Sequence, residues 1–211
     1  MSTPDWKHVL PTPPAGGRLQ EAWMTSFEQP DAGLLVEHLL PSLLDTSHSL
    51  SQDIHERTLF FGELGMALEA LRGKITVIST PPRGERDDTQ YPWLWRYVGH
   101  FTVGATSRAV QHAKLWAFRW QVGDAEFLEL HVSSANLTTS AFKGQVQAGW
   151  RAVIQLGTRS TVSTRKSWGA LAPFLQALGN SAGEIASPRI ERLIALLGRV
   201  PCPPEVTFIA S

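Results

Sequence analysis

The sequence predicts a sheet core covered by helices, an α/β or α+β sandwich, and three observations carry that reading. A β-branched run, KITVIST (74–80), stops at Pro81 and Pro82, as a strand does. Three more strand candidates follow one another between residues 110 and 157. Segments of helical periodicity lie before and after them.

Taken in order, residues 1–20 read as an irregular lead-in, with Pro4, Pro11, Pro13 and Pro14 followed by Gly16 and Gly17. Residues 21–211 read as a single domain. A short apolar stretch precedes AGLLVEHLLPSLL, whose spacing suits a helix broken or kinked at Pro41. TLFF (58–61) is ambiguous and could be a short strand. GMALEALRG is helix-like and stops at Gly73. PPRGERDDTQYP is a charged, turn-rich loop, and WLWRYVGHFTVGA mixes strand and loop. VQHAKLWAFRWQ alternates as a strand does, and a turn at Gly123 and Asp124 joins it to FLELHVSS in a hairpin. SANLTTSAF leaves that strand as a loop or short helix, and QAGWRAVIQLG is the third strand. WGALAPFLQALG and PRIERLIALLG are helix-like, the second with Pro188 near its first turn. VTFIAS contains a short strand candidate.

At 211 residues the chain is long enough for one domain with a real core and short for two. Nineteen basic residues balance nineteen acidic ones. That argues against a dominant non-specific nucleic-acid binder, whose affinity would come from excess Lys and Arg, and leaves room for a local basic cleft. The lone cysteine, Cys202, excludes an internal disulfide framework and fits a reducing compartment. No apolar run approaches the roughly 20 residues of a spanning helix, and the N-terminus has no signal-peptide core. The expectation is a cytoplasmic protein with no membrane partner.

His112 and Lys114 lie two apart on a predicted strand, which places both side chains on one face. Asn136 follows 22 positions after Lys114, just past the next strand, in SSAN. The end of a hairpin's second strand returns to the start of its first, so Ser134 and Asn136 approach His112 and Lys114. An imidazole, an ammonium, an amide and a hydroxyl together suit a phosphate diester. Lys114 and Asn136 can hold the non-bridging oxygens and stabilise the charge that develops there. A neutral imidazole can attack phosphorus to give a phospho-histidine. A second imidazole must protonate the leaving oxygen and later activate water. Cationic and amide donors take the place of a metal, so neither metal nor cofactor is expected.

The run HAKLWAF…LELHVSSANLTTSAF…QAGW resembles the HxK…N signature of the phospholipase D superfamily. It is most similar to the tyrosyl-DNA phosphodiesterase branch, which lacks the aspartate of the common HxK(x)4D form; Arg119 stands at that position here. His112, Lys114 and Asn136 match the motif's histidine, lysine and asparagine. Ser134 matches the serine of the usual GSxN segment, with Ser133 in place of glycine, and Gln147 falls near a polar or acidic supporting residue. The resemblance covers roughly residues 22–157. It implies an α/β fold, a phospholipase D-like mixed β-sheet flanked by helices, as one half-site domain. It also implies a metal-independent phosphodiesterase or nuclease acting on DNA, with Ser134 and Gln147 supporting the phosphate.

The family's site uses two motifs, one per half, and this sequence carries one. None of His8, His38, His48, His55, His100 and His131 has a lysine two residues later. Three arrangements remain open. Two copies can pair as a homodimer, each contributing His112. A second chain or a missing half can carry the other motif, as in tyrosyl-DNA phosphodiesterase-like end processing. Or the half-site is a non-catalytic module that binds nucleic acid or a partner. A lipid-directed phospholipase ranks lowest.

Each residue also has a plainer reading. A lone strand histidine is usually structural, and an isolated asparagine in SANLTTSAF is a turn or cap residue. His131, by parity from Ser133, is expected to pack, and so is His100. Trp93, Trp95, Trp116, Trp120 and Trp150 are mostly core, although a subset could stack on bases. Arg159, Arg165 and Lys166 either track a phosphate backbone or sit in a solvated loop. Cys202 has no local histidine partner. The helix-rich segment 168–199, through LIALL, is the expected dimer interface.

Overall fold

The computed structural model describes residues 10–81, 90–103, 111–143, 147–157, 168–203 and 206–208. The sheet is built around β1 (Gly17–Ser26), which is buried on both faces from Glu21 onward. On one side, β1 pairs in parallel with β2 (Ile75–Ser79), which pairs in parallel with β3 (Val98–Thr102). On the other side lies an antiparallel meander of β4 (Leu115–Val122), β5 (Ala125–Ser133) and β6 (Gly149–Gln155). Among the described residues the order is β3-β2-β1-β4-β5-β6.

Alternation along the strands splits the apolar side chains between two cores. Met24, Val77, Trp116, Phe118 and Trp120 face the first, and Trp23, Ile78, Leu115, Ala117, Leu128 and Leu130 face the second. The first core is covered by a helical stretch, 32–44, and by α3 (Ile54–Ala70). The second is covered by α5 (Leu171–Ala182) and α6 (Ser187–Leu197). In the chain order the short α4 (Thr139–Lys143) connects β5 to β6. The result is the expected α/β class, a mixed sheet flanked by helices.

Pro41 does not break the first helix. It has no N–H to give the carbonyl four residues back, and its ring would crowd that carbonyl. A π-helical turn, Leu35–Leu39, widens the helix just ahead of it, with the Leu40 N–H reaching Leu35 O. The helix therefore runs from α1 (Ala32–Leu34) through that turn into α2 (Leu40–Leu44).

Other readings of the sequence change as well. β1 begins at Gly17, inside the stretch read as irregular. TLFF belongs to α3, because Phe60, Leu64 and Leu68 form a buried stripe at helical spacing that overrides local strand propensity. WLWRYVG begins with a 3-10 helix, Pro92–Arg96, before β3. The leucines of LIALL face inward: Leu193, Leu196 and Leu197 are all buried in the second core, so they are spent on this chain's own packing. The hairpin is as expected. Gly123, with φ of +54°, takes the first turn position between the paired Val122 and Ala125. The strand candidate VTFIAS shows no regular structure at 206–208 and otherwise lies outside the described residues. No helix among the described residues is long and apolar enough to cross a membrane.

Candidate active site

His112 and Lys114 do not lie in a strand. Strand pairing starts at Leu115; Lys114 O still accepts the Ser133 N–H at 3.0 Å, and residues 111–113 are held by side chains instead. Thr25 Oγ1 donates to Ala113 O at 2.8 Å and accepts the Leu115 N–H at 2.8 Å. Gln111 Nε2 also donates to Ala113 O, at 2.7 Å, and Thr80 Oγ1 donates to Gln111 O at 3.0 Å. These bonds satisfy backbone groups that a longer ladder would otherwise have used. The segment is thus freed from strand geometry while staying fixed to the ends of β1 and β2.

Within it, Lys114 folds back onto His112. Its Nζ donates to His112 O at 3.0 Å and lies 3.4 Å from each ring nitrogen. Lys114 is buried, only 8% exposed, whereas His112 is open to solvent. Burial pushes the Lys114 pKa down from its ordinary value, and the nearby Glu28 carboxylate opposes that shift.

Phe27, just past the end of β1, joins the three motif residues. Its ring lies 4.8 Å from that of His112, centroid to centroid, and 5.6 Å beneath Lys114 Nζ. Its backbone N–H donates to Asn136 Oδ1 at 3.1 Å. That bond sets which way the amide points. With Oδ1 occupied, Nδ2 is the atom left to donate, and it makes no hydrogen bond among the described residues. Next to Asn136, Leu137 N–H donates to the buried Ser26 Oγ at 3.0 Å.

Ser134 and Gln147 bond to each other. Ser134 Oγ donates to Gln147 Oε1 at 2.5 Å and accepts the Ala148 N–H at 3.0 Å, while Gln147 Nε2 donates to Ala141 O at 2.9 Å. They tie the segment after β5 to the start of β6.

The other candidates are placed as follows. His131 Nε2 lies 2.6 Å from the fully buried Glu129 carboxylate, which also accepts from Trp120 Nε1 at 2.6 Å and Arg151 Nε at 2.5 Å. Burial alone would raise the Glu129 pKa, but the bonds from His131 and Arg151 outweigh it and hold it low. His100 Nε2 sits 2.8 Å from Ser79 Oγ. Trp116 and Trp120 are core residues; Trp93, Trp95 and Trp150 are half-buried. Cys202 is buried, with Sγ 3.6 Å from Val206 O. His8, Arg159, Arg165 and Lys166 lie outside the described residues. Sequence reasoning missed Thr25, Phe27, Glu28 and Asp31. The D-A-G-L start of a helix could have flagged Asp31 as a cap; nothing local marks Phe27.

No protein-family model matches the sequence, and no curated protein matches it. Solved structures do. Yeast tyrosyl-DNA phosphodiesterase superposes with a TM-score of 0.53 at 14% identity, covering 92% of this chain and 37% of its own. Two mutants of the yeast enzyme give TM-scores of 0.55 and 0.54 at 12% and 13% identity, covering 90% and 92% of this chain and 37% and 36% of theirs. At such identities the likeness shows the fold alone: the sheet and its helices have the phospholipase D-like arrangement. The chain spans little more than a third of the length of the solved chains it matches.

Proposed function

We propose that this chain is one half-site of a metal-independent phosphodiesterase acting on DNA, completed by a second copy. The observation that carries the reading is the junction at Phe27, where His112, Lys114 and Asn136 meet in a fold shared with tyrosyl-DNA phosphodiesterase.

His112 is the exposed member, open to an incoming diester. One ring nitrogen attacks phosphorus, a P–N bond forms, and the P–O bond to the leaving group breaks. Lys114 and the Asn136 Nδ2 donors hold the non-bridging oxygens, where charge builds in the transition state. Ser134 and Gln147 support the phosphate side by fixing the segment that carries Asn136. The leaving oxygen takes its proton from a second imidazole, which then removes a proton from the water that cleaves the phospho-histidine. In a homodimer the second imidazole is His112 of the other copy. The alternative is tyrosyl-DNA phosphodiesterase-like end processing with the second half supplied elsewhere, and the likeness to the fold of the yeast enzyme supports it.

The test is cleavage of labelled single- and double-stranded DNA in excess EDTA by wild type and His112→Ala, with solution mass measured alongside. Cleavage that survives EDTA, disappears in the variant and accompanies a dimer is the expected result. A strict monomer that cleaves would refute the shared-site version. Binding without cleavage by both proteins would refute the enzymatic reading in favour of a binding module.

A further inference from the structure

We infer that Asp31 and Thr139 form a positioning pair that sets the placement of Asn136, although neither residue touches the phosphate. The inference rests on the reading of Asn136 as a phosphate donor.

Asp31 bonds in two directions. Its Oδ1 accepts the N–H groups of Gly33 at 2.8 Å and Leu34 at 3.3 Å, which is ordinary helix capping. Its Oδ2 turns away from that helix and accepts from Thr139, 108 positions along the chain, through the hydroxyl and, at 3.4 Å, the backbone N–H. A cap has no need of the second set. The Asp31 N–H adds a third tie, donating to Leu137 O at 2.8 Å.

Asn136 is therefore bracketed. On one side Phe27 N–H holds its Oδ1 and Ser26 Oγ holds the Leu137 N–H. On the other, Asp31 grips Leu137 and Thr139. The chain between these anchors is too short to let the Asn136 amide drift. Four donors face the Asp31 carboxylate, two at each oxygen, so both oxygens must accept; an asparagine there would set an NH2 group against one of these pairs. The same donors hold the Asp31 pKa below its ordinary value against the opposing effect of burial.

The test compares Thr139→Val, Thr139→Ser and Asp31→Asn with wild type by NMR amide exchange, thermal midpoint, and kcat and KM for EDTA-resistant DNA cleavage. Thr139→Val should speed exchange at Phe27 and Leu137 by about tenfold, the equilibrium factor of one bond to a charged group. Exchange in β2 should not change, and Thr139→Ser should restore wild-type protection. kcat should fall about ten- to hundredfold, the scale of a misplaced catalytic group, with KM changing less. Asp31→Asn should act in the same direction. Unchanged exchange at Phe27 and Leu137, or a uniform rise across all strands, would overturn the pairing. Absence of cleavage by wild type would count against the proposed function, and the exchange comparison would still decide whether the pair positions Asn136.

Discussion

Thr25→Val is the sharpest probe of how the site segment is held. The change keeps the side chain's size and removes its hydroxyl, at a residue only 4% exposed. That hydroxyl serves Ala113 O and the Leu115 N–H, each at 2.8 Å, and also lies 3.3 Å from Leu115 O. Their losses are not equal. Ala113 O keeps a donor, Gln111 Nε2 at 2.7 Å, so it stays satisfied. The buried Leu115 N–H is left without a partner, at a cost of about 1–3 kcal/mol. With a urea m-value of about 2 kcal/mol/M, a 2 kcal/mol loss lowers the denaturation midpoint by about 1 M. The assay is urea unfolding followed by tryptophan fluorescence, with Leu115 amide exchange as the local readout. An unchanged midpoint with unchanged Leu115 exchange would refute the claim that Thr25 ends the strand and anchors residues 111–114.

Other predictions concern charge. Glu63 accepts N–H bonds from Ser47 and His48, and these outweigh burial to hold its pKa down to about 2. Its contribution is complete above the ordinary carboxylate value of 4.5 and is lost as pH falls toward 2. Glu63→Gln should therefore cost about 1–2 kcal/mol at neutral pH, allowing for solvent screening, and progressively less as pH falls from 4.5 toward 2 in acid-denaturation curves. Glu129→Gln should cost about 2–4 kcal/mol, because three donors face a carboxylate with no exposure. Since the Glu129 pKa is lowered, that difference should also shrink as pH falls, and a deficit constant from pH 7 to pH 3 would contradict it. Lys114→Met should leave the thermal midpoint within a few degrees, because the new chain fills the same buried path. It should also abolish the phosphate-dependent shift of the Asn136 side-chain amide in NMR titration; a shift equal to wild type would remove Lys114 from the site.

Much of the fold was legible because its signals are local. KITVIST reads as a strand from β-branching and its prolines, and β2 is there. Gly123 and Asp124 read as a hairpin turn, and β4 and β5 pair across it. The amphipathic spacing of α5 and α6 was visible without knowing what they cover. β1 was harder: buried on both faces, it lacks the alternation that marks a half-exposed strand. The HAK segment alternates like a strand and is not one, because Thr25 and Thr80, far away in sequence, take its backbone bonds.

By itself the sequence determined the class of fold and the spacing of His112, Lys114 and Asn136, since periodicity and residue type are written along the chain. Only the tertiary structure decided that Phe27 joins those three, that the Asn136 amide turns its Oδ1 to the Phe27 N–H, and that Asp31 grips Thr139. Those are contacts between segments about a hundred positions apart. Chain order does not encode such distances; burial of the two cores against one sheet creates them.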